Sequence, residues 1–193
     1  ASSSHRIDFR GLEIGTESLL GEPGDYYRQP WFSGGAIRFA AAQLGGAAAL
    51  LDAAISTLRE VDRTEDALQQ ARIGEAIIGV TSGEQWLDWV GRRANASTLG
   101  GAAEPQVSAA EMVTAANMTR TAIERICLQV LDIVERSIGA RGLLRPHPIE
   151  RIGRDLTLYL RQPAPDAALR DAGRFALEQD EPALSWLQLE SPP

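Results

Sequence analysis

Cysteine, histidine and aromatic side chains are scarce in this 193-residue sequence, which has one cysteine, two histidines and 6% aromatic residues. The single cysteine, Cys127, excludes an intrachain disulfide framework and is typical of a reducing compartment, so we expect a cytoplasmic protein. His5 and His147 are too far apart in the sequence to predict a metal site. Phosphate-binding loops, dinucleotide-binding glycine fingerprints and serine-based catalytic motifs are missing as well.

Positive charge is in deficit, because 19 basic residues face 26 acidic ones and the net charge is -7. A surface that binds nucleic acid usually needs a basic excess on one face, so nucleic acid is not predicted as a partner. The chain also lacks a run of about 18 apolar residues, and no membrane span is predicted. Its first residues lack the apolar core of a signal peptide, which gives no support for secretion.

What the sequence does contain is a large apolar share, 44%, in which alanine dominates. Alanine favours helices, whereas strands prefer β-branched and aromatic residues, so we predict a mainly α protein. Residues 1–29 alternate apolar and polar positions between Ile7 and Ile14 and predict a short β-strand remnant with a turn-rich connector. Residues 30–178 predict an up-and-down four-helix bundle. Residues 179–193 predict an irregular tail.

Helix boundaries follow from capping residues, prolines and glycines. Ser108 and Glu111 form a capping-box pattern before a clean 3.6-residue apolar stripe that contains Cys127, so we expect a buried, inert thiol there. Pro163 is expected to stop the helix that precedes it. The predicted helices run from a cap at Ser33 to about Val61, from Thr64 to Ala94, from Ser108 to Gly139, from Pro148 to Arg161, and onward from a cap at Asp166.

Charged residues cluster on the fourth predicted helix, where two readings stay open. Glu150 with Arg154, and Arg151 with Asp155, have the i,i+4 spacing of ion pairs on a solvated face, and spacing alone favours this reading. Alternatively, the preceding glycine turn "GARG" lets backbone approach a phosphate or a flavin diphosphate.

Four segments together resemble one known family. They are "GAIRFAAAQLGGAAALLDAA", "VDRTEDALQQARIGE", "AANMTRTAIERICLQVLDIVERSIGARGLL" and "HPIERIGRDLTLYL". Their order and spacing are similar to the C-terminal half of the acyl-CoA dehydrogenase family, over roughly residues 5–178. The resemblance implies the end of a middle β-domain followed by a C-terminal four-helix bundle.

Several functional expectations come with this resemblance. It implies a flavoenzyme that binds FAD and oxidises the CH-CH bond of an acyl-CoA-type substrate, with a glutamate as base and the flavin as hydride acceptor. It also implies a homo-oligomer, a dimer or a tetramer, in which one subunit's bundle contacts the neighbour's FAD. Family enzymes are about twice as long, so a separate N-terminal half is a further possible partner.

Cofactor contacts are implied at two places. Arg63 matches an arginine that touches the neighbour's FAD diphosphate, although Asp66 three positions later is expected to repel a phosphate. The glycine turn matches a segment that lies along the diphosphate, and an arginine replaces the glutamine that normally precedes it. The implied cofactor-binding residues are Arg63, Arg136, Gly139, Ala140 and Gly142.

The catalytic base is missing from both positions that the family uses. One position is Pro163 and the other is the pair Gly35 and Ala36, and none of these side chains can accept a proton. Asp166 is the nearby substitute, with the alternative role of helix N-cap. Three functions therefore stay open: a dehydrogenase, a flavin-dependent monooxygenase on the same scaffold, and a non-catalytic helical subunit that completes a partner.

Overall fold

The part of the chain that the structure describes forms five α-helices, and the predicted mainly α fold is confirmed. The computed structural model describes residues 5–101, 105–162, 164–182 and 185–187. Pro163, the predicted helix stop and one of the two family base positions, lies outside the described residues. The helices are α1 (Trp31–Glu60), α2 (Ala67–Asn95), α3 (Ala109–Ile138), α4 (Pro148–Tyr159) and α5 (Pro165–Leu177).

The predicted β-strand remnant is not formed. Within the described residues the chain has no strand, and residues 5–29 contain only two short 3-10 turns, Thr16–Ser18 and Asp25–Tyr27. An alternating pattern makes a strand only when a partner edge pairs with it, and no described segment supplies one. The apolar side chains of the pattern are therefore exposed, with Ile7 at 68% and Phe9 at 66%.

Helices α1, α2 and α3 pack tightly around one glycine. A Cβ added at Gly83 of α2 would lie 2.6 Å from Leu44 Cδ1 of α1 and 3.1 Å from Ile123 Cδ1 of α3. Gln129 of α3 donates a hydrogen bond of 2.7 Å to Glu75 of α2, so the earlier residues of α2 meet the later residues of α3. The two helices are therefore antiparallel.

Helix α4 completes the bundle by lying antiparallel to α1. A Cβ at Gly46 of α1 would approach Leu156 Cδ1 to 3.3 Å, and Thr57, near the end of α1, meets His147 just before α4 begins. Leu131 of α3 also lies against α4, at Gly153. The order up, down, up, down predicted for the first four helices is thus confirmed, and α5 packs on α3.

Two of the predicted capping residues are confirmed. The Ser108 Oγ accepts a hydrogen bond from Glu111 N at 3.2 Å, and Glu111 Oε2 accepts one from Ser108 N at 2.7 Å. Two other caps are wrong. Ser33 lies inside α1, which begins two residues earlier at Trp31, and Asp166 lies in the first turn of α5.

The shift at α5 has a local cause. Pro165 occupies the first position of the helix, where its missing N–H is not needed and its fixed φ suits the helix. The helix therefore starts one residue before Asp166, and Ala164 takes the capping position.

Helix α1 is, among the described helices, the one long and apolar enough to cross a membrane, with a mean hydropathy of 1.4 over its best window. The core helix of a bundle meets the same criteria. Ala40, Leu44, Ala47 and Leu50 of α1 are buried, and α1 packs against α2, α3 and α4. This packing accounts for the apolar composition of α1.

Candidate functional site

The glycine turn follows directly after α3 and needs two of its residues to be glycine. Gly139 has φ +70°, a left-handed conformation that side chains with a Cβ rarely adopt. Gly142 is buried, and a Cβ added there would lie 2.9 Å from Ile138 Cγ2. Ala140, between them, is exposed. The turn is therefore held close to the end of α3 by its own small residues.

Arg63 is brought to this turn by the short connection between α1 and α2. It lines a cavity of about 180 Å³ with Thr57 of α1, Ser137 of α3 and Arg141 of the turn, which we name the glycine-turn groove. Arg141, which lies between Ala140 and Gly142, was not predicted as a site residue from the sequence. Arg141 is exposed and has no ion pair within the described chain.

Arg136 differs from the other predicted cofactor residues. Its guanidinium is exposed and bonds Asp132 at 2.9 Å on the same helix. Its carbonyl oxygen accepts a hydrogen bond from Arg72 Nη1 at 3.1 Å, which ties α2 to the end of α3. The structure thus places Arg63 and Arg141 of the turn on one groove. Among the other predicted residues, Gly139, Ala140, Gly142 and the Arg136 side chain are not part of the groove lining.

Asp66 has a structural task beside Arg63. Its carboxylate accepts hydrogen bonds from Leu68 N at 2.9 Å and Gln69 N at 3.3 Å, which caps α2. It also accepts one from Arg63 Nη2 at 2.6 Å. The Arg63 hydrogen bond, followed by that from Gln69, holds the pKa of Asp66 below its usual value. Asp66 therefore neutralises and orients Arg63.

A second and larger cavity, about 900 Å³, lies between the start of α1, α3 and α5. We name it the aromatic groove because Tyr26, Trp31, Phe32 and Phe39 line it. Gly35 and Ala36, one of the two family base positions, lie on its α1 wall. Residues Ala164, Ala167 and Ala168 form its α5 wall, directly after the other base position.

Asp166 does not reach this groove. It is exposed on the first turn of α5 and is not among the residues that line the cavity. The carboxylates that do line it are Asp25 and Asp171, and neither was predicted from the sequence. Asp25 accepts from Glu22 N at 2.9 Å, and Asp171 accepts from Arg170 Nη2 at 2.9 Å.

Two buried polar side chains, one from α1 and one from α3, bond the backbone at the junction between α4 and α5. Gln43 Nε2 of α1 donates to the carbonyl oxygens of Tyr159 at 2.9 Å and Gln162 at 3.3 Å. Arg120 Nη2 of α3 donates to the carbonyl oxygen of Leu160 at 2.9 Å. These groups satisfy carbonyls that a helix end leaves unpaired. They hold the chain just before the family base position at 163.

Cys127 is buried in the core, as predicted. Burial, with a smaller contribution from the charge of Glu124, raises the pKa of the thiol to about 12. A thiol of this kind is neutral at physiological pH and does not act as a nucleophile.

Residues 37–160 match the family described as "Acyl-CoA dehydrogenase, C-terminal domain". The matched segment is more than half of the chain and contains Arg63, the glycine turn and all of α4. The chain belongs to the acyl-CoA dehydrogenase family. No curated protein and no solved structure gave a significant match. Helix α5 and the first six residues of α1 lie outside the matched segment, so the aromatic groove is built only partly from family-matched residues.

Within the family-matched part, the charged residues of α4 pair along the helix. Glu150 Oε1 accepts a hydrogen bond from Arg154 Nε at 3.0 Å, as the i,i+4 spacing predicted. Asp155 lies 3.4 Å from Arg154 Nη1. Arg154 thus contacts both Glu150 and Asp155, which agrees with ion pairs along a solvated helix face.

Proposed function

We propose that the chain is the C-terminal portion of an FAD-dependent oxidoreductase that acts on the CH-CH bond of an acyl-CoA-type substrate. The observation that carries this proposal is that Arg63 and Arg141, a residue of the glycine turn, line one groove. FAD, when bound, supplies the hydride-accepting flavin ring. The residues present fit its diphosphate, because Asp66 takes one of the five N–H donors of Arg63 and leaves the others for phosphate oxygens.

This chain's own residues would then hold the diphosphate. Arg63 and Arg141 would pair with its oxygens, and Gly139 and Gly142 would let the backbone approach closely. The carboxylate of Asp66 offsets one positive charge but keeps the Arg63 guanidinium in place. The substrate would occupy the aromatic groove, where the buried residues Ala36 and Ala168 would shield the reacting carbon from water.

The geometry supports a homo-oligomer. Ala36 and Glu60 are 24 positions apart on α1, so the aromatic groove and the glycine-turn groove are about 36 Å apart at the helical rise of 1.5 Å per residue. This distance is longer than the distance between the diphosphate and the reactive ring within one FAD molecule. One chain therefore would supply its substrate wall to one active centre and its glycine turn to a neighbour's cofactor. The unpaired Cys127 is consistent with the cytoplasm as the compartment.

A second candidate function is favoured by the lining of the aromatic groove. Gly35 and Ala36 accept no proton, and Asp25 and Asp171 are engaged by arginines, so this chain offers no free carboxylate in the described part of the groove. A flavin-dependent monooxygenase needs no such base to oxidise carbon. The third candidate, a non-catalytic helical subunit, is favoured by the same observation.

The experiment that tests the proposal is isolation of the intact assembly in the presence of excess FAD. A retained flavin absorbance spectrum supports a flavoprotein, and a colourless assembly supports the helical subunit. Arg63→Ala should weaken FAD retention, whereas Arg92→Ala, which removes an exposed arginine paired with Asp88 on α2, should not.

Activity then separates the two flavin chemistries. Anaerobic bleaching of the flavin by an acyl-CoA supports the dehydrogenase. Substrate-dependent oxygen uptake with chemically reduced flavin supports the monooxygenase.

A further inference from the structure

The aromatic groove has walls suited to a flat or narrow apolar molecule. The Phe39 ring stacks on Tyr159 with centroids 5.1 Å apart, and Tyr26 meets Phe32 edge to face at 5.5 Å. Phe39 and Phe32 each contact a second ring, while Tyr26 and Phe32 keep 76% and 47% of their surface exposed. Aromatic walls with placed polar groups are the usual lining of small-molecule sites.

The two carboxylates of the groove are each offset by neighbouring arginines. Asp25 Oδ1 lies 2.7 Å from Arg28 Nη2. Asp171 Oδ1 lies 2.9 Å from Arg170 Nη2 and 3.8 Å from Arg174 Nη2. Because both negative charges are paired, they leave little net negative potential toward a ligand.

Arg38 is different, because its guanidinium has no ion pair or hydrogen bond within the described chain. It lies over the backbone of Gly35, where an added Cβ would come within 3.7 Å of Arg38 Nη2. Asn117 of α3 also faces the groove, and its side-chain amide has no partner among the described residues. The groove therefore presents the unpaired charge of Arg38 beside an amide and aromatic rings, whereas Arg174 shares the carboxylate of Asp171 with Arg170.

We propose that the aromatic groove binds a small molecule with an apolar body and a carboxylate, and that Arg38 binds the carboxylate. A guanidinium holds a carboxylate through two parallel N–H donors, which fixes its orientation as well as its charge. This inference rests on the proposed function, because it names the class of substrate that the aromatic groove would bind. The carboxylate can belong to a free acid or to the far end of an acyl chain on CoA.

Two matched pairs of probes test the proposal and separate these sources. The first pair is benzoate and benzamide, which differ in charge but not in shape. The second is succinyl-CoA and butyryl-CoA, which share the CoA group and differ in a terminal carboxylate. Binding to the full chain is measured by titration calorimetry at low and at high salt.

Arg38→Met is the diagnostic variant, because it removes the charge and keeps an apolar stem. We expect it to weaken binding of the preferred anionic probe about tenfold, the lower range for a hydrogen bond to a charged group. Arg38→Lys should recover part of the affinity. Arg125→Met removes an exposed arginine of α3 that does not line the groove and should leave binding unchanged. Asp171→Asn should tighten binding, since it removes one of the two carboxylates that line the groove.

Tighter binding of benzoate than of benzamide, lost in Arg38→Met, identifies a free acid as the ligand. Tighter binding of succinyl-CoA than of butyryl-CoA, lost in the same variant, identifies an acyl chain on CoA. Equal binding of charged and neutral members of both pairs, or no binding of any probe, overturns the proposal. Arg38 is exposed and has no ion pair within the described chain, so Arg38→Met should fold. An unchanged circular dichroism melt of the variant verifies this. FAD retention is measured separately, so the binding of the acid probes can be interpreted even if the protein binds no FAD.

Discussion

The guanidinium of Arg120, wholly buried on α3, donates a hydrogen bond of 2.9 Å to the carbonyl oxygen of Leu160, where α4 ends. Glu124, one turn along α3, bonds the same guanidinium. The positive charge also lies at the negative end of the α4 dipole. One buried side chain therefore joins α3 to the end of α4 and to the chain that leads into α5.

Removing this arginine should destabilise the bundle strongly. Arg120→Met leaves Glu124 almost buried and without its main partner, and breaking a buried pair from one side costs about 3–5 kcal/mol. The free energy of unfolding from urea titrations measures the loss. Arg92→Met, which breaks the exposed pair with Asp88, should cost less than about 1 kcal/mol. The double variant Arg120→Met with Glu124→Met should regain most of the stability. Equal losses in Arg120→Met and Arg92→Met would contradict the view that the buried pair stabilises the bundle more than the exposed one.

Two glycines of α2 should respond in opposite directions to the same substitution. Gly83→Ala places a methyl group 2.6 Å from Leu44 Cδ1, and overpacking of this kind costs about 1–3 kcal/mol. Gly74 has nothing within 4 Å of an added Cβ, so Gly74→Ala should stabilise the helix by up to about 1 kcal/mol. Chemical denaturation of the two variants beside the wild type measures the difference. A gain of stability in Gly83→Ala would show that α2 packs more loosely than described.

Asp66 should contribute a pH-dependent part of the stability. Its folded-state pKa is lowered, chiefly by Arg63, so the carboxylate stabilises the fold above its unfolded pKa. That contribution is lost as the pH falls from about 4, the usual value for Asp, through the lower folded pKa. Asp66→Asn should melt about 2–4 °C below the wild type at neutral pH, and this gap should shrink in acid. Arg63→Gln removes the main cause of the lowered pKa of Asp66 and should flatten the pH dependence of the stability. A gap that is constant with pH would rule out the ion pair as its source.

Cys127 should resist alkylation while the protein is folded. With its pKa near 12, the thiolate fraction at pH 8 is lower than that of a free cysteine by a factor on the order of a thousand. Iodoacetamide should therefore label the native chain very slowly and should label one thiol per chain after unfolding in guanidinium. Mass spectrometry counts the adducts. Fast labelling of the native protein would show that the core opens around α3.

The helices could be predicted from the sequence because their signals are local. The apolar stripe around Cys127 and the capping box at Ser108 are complete within a few turns, and both are confirmed. The strand prediction between Ile7 and Ile14 was wrong because strands need a distant partner. The cap at Asp166 was wrong because a neighbouring proline competes for the helix start.

The candidate site was only partly predictable, for a related reason. The family resemblance pointed to Arg63, which lines one groove with Arg141 of the glycine turn. Arg38 and Asp171 carry no recognisable motif. They line one groove because α1 and α5 both pack on α3, and no local pattern encodes that meeting.

Helix α5 buries a single residue among those described, Ala168, and lies beyond the family-matched segment that ends at Leu160. A wall that contributes one fully buried side chain can be exchanged while most of the core stays as it is. The aromatic groove is therefore modular: grafting a different α5 onto this bundle would change which molecule fits, while the glycine turn at the far end of α1 stays as it is.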